Sequence, residues 1–390
     1  MRRYVSADYL FPISSAPIRN GVIVLNEKGE IIKLMTDDQV PANVSVEEHH
    51  GIIVPGFVNS HCHLELSYLH GKIPEKTGLI DFIGGVTRDR SFDQQVIDTA
   101  IKEADAAMQK EGIVAVGDIA NTLNSRQVKL DSPIYYHTFA EVFNFNPDEA
   151  KETFKKGNDL CTGFSPLPSS ITPHAPYSVT KELFRYIRTF SDDNNNLISI
   201  HNQETEEENK LYRYKTCAFI HFYESLGKDI SFFKAQARNS LRSILPLLPE
   251  SQRILLVHNT YTSFKDTNFV DRYKRDVTWC LCPNANLYIE NRLPNIDMFI
   301  RSRRPVVLGT DSLASNNKLS ILAEIKTLLR HSAHLPLETA LNWATLNGAR
   351  YFGIDDIYGS LESGKKPGIN LLTNTRGPNI TEATEVIKLA

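Results

Sequence analysis

Eight short apolar runs, at 53–58, 113–117, 134–140, 170–172, 197–200, 253–257, 276–280 and 305–308, recur along the chain, most of them separated by segments with helical periodicity. Strands that alternate with helices pair in parallel through crossover connections. Eight such units over roughly 290 residues have the size of a (β/α)8 TIM barrel, an α/β fold. A doubly wound open sheet uses the same alternation, and counting strands does not exclude it. The helical pattern is clearest in "QQVIDTAIKEADAAMQKEG", before the second run, and in "ILAEIKTLLRHSA", after the last; Gly112 is a stop signal for the first.

Outside this region the chain is β-rich. "GVIVLNEKGEIIKLM" pairs two runs across Asn26-Glu27-Lys28-Gly29, a hairpin signature, and "YGSLESGKKPGINLLTN" and "ATEVIKLA" are strand-like at the other end. Two such segments at opposite ends can meet in one small sheet. Two polar stretches read as solvated: "SDDNNN" at 191–196 as a loop, and "ETEEEN" at 204–209 as a helix start whose carboxylates suit the macrodipole.

Composition removes several classes of function. The 390 residues, 41% hydrophobic, bury a large core in one or two domains. A net charge of −3 without a basic patch argues against a nucleic-acid partner. No apolar run approaches the ~18 residues of a membrane span. The N-terminal stretch lacks the apolar core of a signal peptide, and Cys62, Cys161, Cys217, Cys280 and Cys282 form no disulfide framework, so the expected location is the cytoplasm.

In a barrel, functional groups gather where strands end. His61 and His63 follow the first run, His174 the fourth, His201 and then Glu204 the fifth, His258 the sixth and Asp311 the eighth. Of twelve histidines, these five fall at strand ends. Alternate residues of an extended segment point the same way, so His61 and His63 can present two nitrogens to one ion, while Cys62 points away into packing. With His201 and Asp311 they make a His3Asp donor set suited to Zn2+ or Fe2+ with a position left for water. A divalent ion brings that water's pKa from ~15.7 towards ~7. Glu204 beside it is a candidate proton shuttle, and His258 a group to polarise the water or stabilise developing charge; Asp311 can also accept the water's proton.

These residues, in this order, resemble the amidohydrolase superfamily along nearly the whole chain. "PGFVNSHCHLELS", "TPHAPYS", "HNQE", "CPNANLYI", "LGTDSLAS" and "IYGSLESGKKPGINLL" match its motifs, in the branch of cytosine deaminases and chlorohydrolases, near S-adenosylhomocysteine/adenosine-type and aminodeoxyfutalosine deaminases. The resemblance implies a TIM barrel at 56–351 with a small β-sandwich built from 1–55 and 352–390. It also implies one divalent metal, Zn2+ ahead of Fe2+ or Mn2+, held by His61, His63, His201 and Asp311. No lysine stands at the fourth strand, where binuclear members carry a carboxylated one. Asn284 and Ala285 depart from the usual Arg-Ser, and 368–370 from the usual Ala-Asp-Leu.

The implied reaction is hydrolytic deamination of an amino-substituted heterocycle, such as a 6-aminopurine nucleoside (an adenosine derivative, S-adenosylhomocysteine or aminodeoxyfutalosine). Glu204, His258 and Asp311 are the catalytic residues and His174 a substrate-binding one. Glu65, Arg88 and Arg90, in or near "EKTGLIDFIGGVTRDR", are candidates for a ribose or an appended carboxylate. Dechlorination or cyclic-amide hydrolysis uses the same machinery and stays an alternative, as does a catalytically inactive metal-binding scaffold. The expected partner is a small heterocyclic molecule, with no nucleic acid and no membrane; members of this family often form homodimers.

Overall fold

A computed structural model describes residues 2–88 and 92–390. Both chain ends contribute to one seven-stranded sheet. Strands β1 (Arg3–Leu10), β2 (Ile18–Leu25) and β3 (Ile31–Thr36) form an antiparallel meander, the expected hairpin being β2–β3. The short β4 (Glu47–Glu48) and β5 (Ile52–Pro55) run parallel to β1. The C-terminal strands join later, on the far side of β5.

The first apolar run is two strands rather than one. β5 ends at Pro55, and beyond Gly56 the chain starts β6 (Phe57–Cys62), which belongs to a different sheet. Proline lacks the amide hydrogen that a continuing ladder needs, which is why the ladder breaks here. β6 pairs in parallel with β7 (Ile113–Ala120), which pairs with β8 (Tyr135–Val142) and that with β9 (Ser169–Pro173). A second parallel sheet follows in chain order: β10 (Ile198–Asn202), β11 (Arg253–His258), β12 (Asp276–Leu281) and β13 (Val306–Leu308). β14 (Ile369–Thr373) then pairs antiparallel with β5 and with β15 (Glu385–Lys388), closing the terminal sheet.

Hydrogen bonds cross both seams between the four-stranded sheets. His201 N–H donates to His174 O at 2.9 Å, and Thr310 and Asp311 N–H both donate to His61 O, at 3.0 and 3.1 Å. The second seam requires Gly309: a Cβ there would lie 2.8 Å from His61 Cβ and 2.9 Å from His61 O. A side chain at 309 would therefore push Asp311 away from the histidines.

Every residue of β7 is buried, and one large apolar cluster fills the space between strands and helices. The helices expected before the second strand and after the eighth are Gln94–Lys110 and Ile321–His331. The two stretches read as solvated are partly buried. Asn196 forms two-way hydrogen bonds with the Ile171 backbone, at 2.8 and 3.0 Å, and Glu208 accepts from Gln203 N–H at 2.9 Å in full burial. Polar side chains at strand and helix starts replace backbone partners there, so composition overstated their exposure. No described helix is long and apolar enough to cross a membrane.

Candidate metal centre and active site

The C-terminal ends of β6, β10, β11 and β13 deliver four imidazoles and a carboxylate to one place. Strand alternation turns His61 and His63 to the same side, while Cys62 packs in the apolar core. The His61 ring lies 4.9 Å from both the His63 and the His201 rings, centroid to centroid, and the Nε2 atoms of His63 and His201 are 3.2 Å apart. Asp311 Oδ1 sits 3.8 Å from His61 Nε2 and 3.5 Å from His63 Nε2. Two overlapping triads, His61–His63–Asp311 and His61–His201–His258, each hold their donor atoms within 4.8 Å of one another.

The cluster suits a cation. Both ring nitrogens of His61 and Nε2 of His258 are buried without a hydrogen-bond partner, a costly arrangement unless an ion takes their lone pairs. Burial, reinforced by neighbouring imidazoles, pushes His61 well below the usual histidine range, and burial with His174 brings His201 down to about 3. Neutral imidazoles are the ligating form. Supporting contacts aim the donors: His201 Nδ1 bonds to His174 O at 2.8 Å, which directs Nε2 to the centre, and Ser315 Oγ donates to Asp311 Oδ2 at 2.7 Å, which turns Oδ1 towards the histidines.

The backbone is strained where these side chains leave their strands. His258 and Asp311 take φ of +73° and +57°, and Gln203, before Glu204, +47°. Non-glycine residues pay about 1–3 kcal/mol each for such conformations, which cluster at functional sites. Glu204 lies 3.6 Å from His258 Nε2. Burial, then the charges of Asp311, Glu290 and Glu208, push its carboxyl well above the usual range. Burial also lowers His258, whose Nδ1 is 3.4 Å from Asn286 Oδ1.

A cavity of 410 Å³ opens onto this cluster, with His63, His174, His201, Glu204, His258 and Asp311 in its wall. Ser178 Oγ, 2.6 Å from His174 Nδ1, fixes the His174 ring. The helix Leu79–Arg88 covers the other side with Leu79, Phe82, Ile83, Val86 and Thr87.

Three of the expected substrate contacts are placed differently. Glu65 is not in the cavity wall: the turn after His63 sends its carboxylate under β7, where it accepts from Asn121 N–H, Thr122 N–H and Thr122 Oγ at 3.0, 3.0 and 2.9 Å. Burial raises it to about 7. Arg88 ends its helix exposed and outside the wall, because the helix turns its apolar face inward. Arg90 lies outside the described residues. Asn284, the departure noted above, binds buried Glu324 through its backbone N–H and Nδ2, at 2.8 and 3.0 Å.

Glu141 and Asn121 line the cavity and escaped sequence reasoning. The signal was present: the third apolar run was ended at Ala140, one residue before an acid at a strand end. Lys228 is the only Lys or Arg in the wall among the described residues.

The amidohydrolase family pattern matches residues 52–388. The chain belongs to the amidohydrolase family. An adenosine deaminase of Helicobacter pylori is 25% identical over 331 residues, 82% of this chain and 78% of the relative. Among solved structures, the aminofutalosine deaminase of Helicobacter pylori superposes with a TM-score of 0.82 at 21% identity, covering 99% of this chain and 98% of that one. An adenosine deaminase of Xanthomonas campestris with bound zinc superposes with a TM-score of 0.75 at 20% identity, covering 95% and 84%. In this amidohydrolase the motif order along the chain is thus matched by a common fold.

Proposed function

We propose that this amidohydrolase deaminates a 6-aminopurine nucleoside-type compound, an adenosine derivative, by hydrolysis. The observation that carries the reading is the convergence of His61, His63, His201 and Asp311 beside Glu204 and His258 at the floor of one cavity. The relatives named above act on adenine nucleosides by their names, which supports the substrate class. We read the two parallel sheets as halves of one (β/α)8 barrel, 56–351, and the terminal sheet as a separate sandwich-like domain, 1–55 with 352–390. The resident ion is zinc in this reading, in keeping with the nitrogen-rich donor set and the zinc in the Xanthomonas structure.

His61, His63, His201 and Asp311 would hold the ion, which when bound supplies Lewis acidity that makes water nucleophilic near neutral pH. The chain's own residues do the rest. Glu204, whose surroundings favour the protonated carboxyl, donates to the ring nitrogen next to the amine-bearing carbon and makes that carbon electrophilic. The neutral His258 imidazole, 3.6 Å from Glu204, orients the incoming water. Glu204 then takes a proton from the added water and passes it to the amine, so ammonia leaves and a ring carbonyl remains. His174 holds the heterocycle.

Ammonia release is measured across adenosine, S-adenosylhomocysteine, methylthioadenosine, aminodeoxyfutalosine, guanine, cytosine, a chlorotriazine and a cyclic amide. Turnover confined to adenine nucleosides supports the proposal. Chloride release or ring opening without ammonia would transfer it to the related hydrolases, and inert protein with a full complement of metal would leave a scaffold.

A further inference from the structure

We propose that Glu141 reads a sugar hydroxyl of the substrate and so sets selectivity for a ribonucleoside; this rests on the deaminase reading above. Glu141 ends β8 on the cavity wall, beside His174 and His201 and away from the ion's donors. It is not the partner that orients His201: the His174 carbonyl takes His201 Nδ1 at 2.8 Å, while Glu141 Oε1 is 3.7 Å from that nitrogen.

Its carboxylate is held in place by a relay. Asn121 Nδ2 donates to Glu141 Oε2 at 3.1 Å, and Asn121's own N–H donates to buried Glu65 at 3.0 Å. Glu65 therefore contributes to binding through Asn121 and Glu141 rather than by touching substrate. A hydrogen-bonded carboxylate in a binding wall is an acceptor, and needs a donor from the ligand. An adenine base offers one donor group, the amine at the reacting carbon; N1, N3 and N7 all accept. The remaining donors of such a substrate are sugar hydroxyls, and a site built around a hydroxyl rejects the analogue that lacks it.

The test compares kcat/KM for adenosine, 2′-deoxyadenosine and 3′-deoxyadenosine, on wild-type protein and on Glu141→Ala and Glu141→Gln, with bound metal measured in each. Wild type should prefer adenosine over at least one deoxy analogue by tenfold or more. Glu141→Ala should bring that ratio close to one by lowering the adenosine value alone, Glu141→Gln should keep part of it, and metal content should not change. Equal use of all three nucleosides by wild type, an unchanged ratio in both variants, or loss of metal on substitution would each overturn the assignment and leave the deaminase reading intact. Absence of ammonia release from every nucleoside by metal-loaded wild type would remove both.

Discussion

Two buried polar clusters sit on either side of Cys62. Towards the cavity, His61, His63, His201 and Asp311 face one another with donor atoms to spare. Behind them, Asp118 and Lys129 form a fully buried ion pair at 2.6 Å. That pair is complete in itself: Lys129 also donates to Thr138 Oγ at 3.0 Å, its ammonium stands 4.6 Å from the centre of the Phe164 ring, and Asp118 Oδ1 accepts from Leu64 N–H at 2.7 Å. Both clusters are desolvated to the same degree. They differ in whether the protein alone satisfies them, and this difference, more than burial, separates a site from a strut. The strut serves the site, since the Leu64 amide it holds follows His63 directly.

Breaking each cluster should therefore produce different failures. The largest effect is expected for His63→Ala: activity falls to background and bound metal is lost, while the metal-free protein keeps its cooperative unfolding, as read by metal analysis and urea titration. Lys129→Met should do the reverse, destabilising the fold by about 3–5 kcal/mol because Asp118 is left buried and unpaired, with residual metal bound by whatever remains folded. A Lys129→Met protein of wild-type stability would erase the contrast. Glu204→Gln keeps metal and loses activity by about 10²-fold or more, the scale of an acid–base group.

Ser315→Ala frees the Asp311 carboxylate to turn, weakening metal affinity by about 10–100-fold, measured by competition with a chelator. The smallest effect concerns pH. Burial raises Glu324 to about 8 and Glu208 to about 7, with no cation to hold them charged as Lys129 holds Asp118. In this window the native protein keeps protons that the unfolded chain has released, so stability falls as pH rises from about 5 to about 8. Glu324→Gln should flatten that slope by at most about 1.4 kcal/mol per pH unit.

Much of this was legible in the order of residues. Strand–helix alternation located all eight parallel strands, because burial on both faces demands apolar runs and crossovers demand amphipathic helices. The strand-end rule placed His61, His63, His201, His258 and Asp311 before any contact was known. Glu65 and Glu141 show where it stopped. Both are acids just beyond strand ends, and only the turn after His63 and the last residue of β8 decide that Glu65 lies beneath Asn121 while Glu141 lines the wall. A shift of one residue exchanges wall and interior, and apolar runs do not mark their ends that finely.

The amino-acid sequence by itself determined which chemistry is available: nitrogen and oxygen donors for one ion, a carboxyl to move protons, and a scaffold that collects strand ends. Tertiary structure decided which of several similar acids and bases are desolvated, aligned and left for ligands. That choice depends on contacts between residues far apart in the chain, such as Gly309 against His61 and Asn121 against Glu141, and no local pattern encodes them.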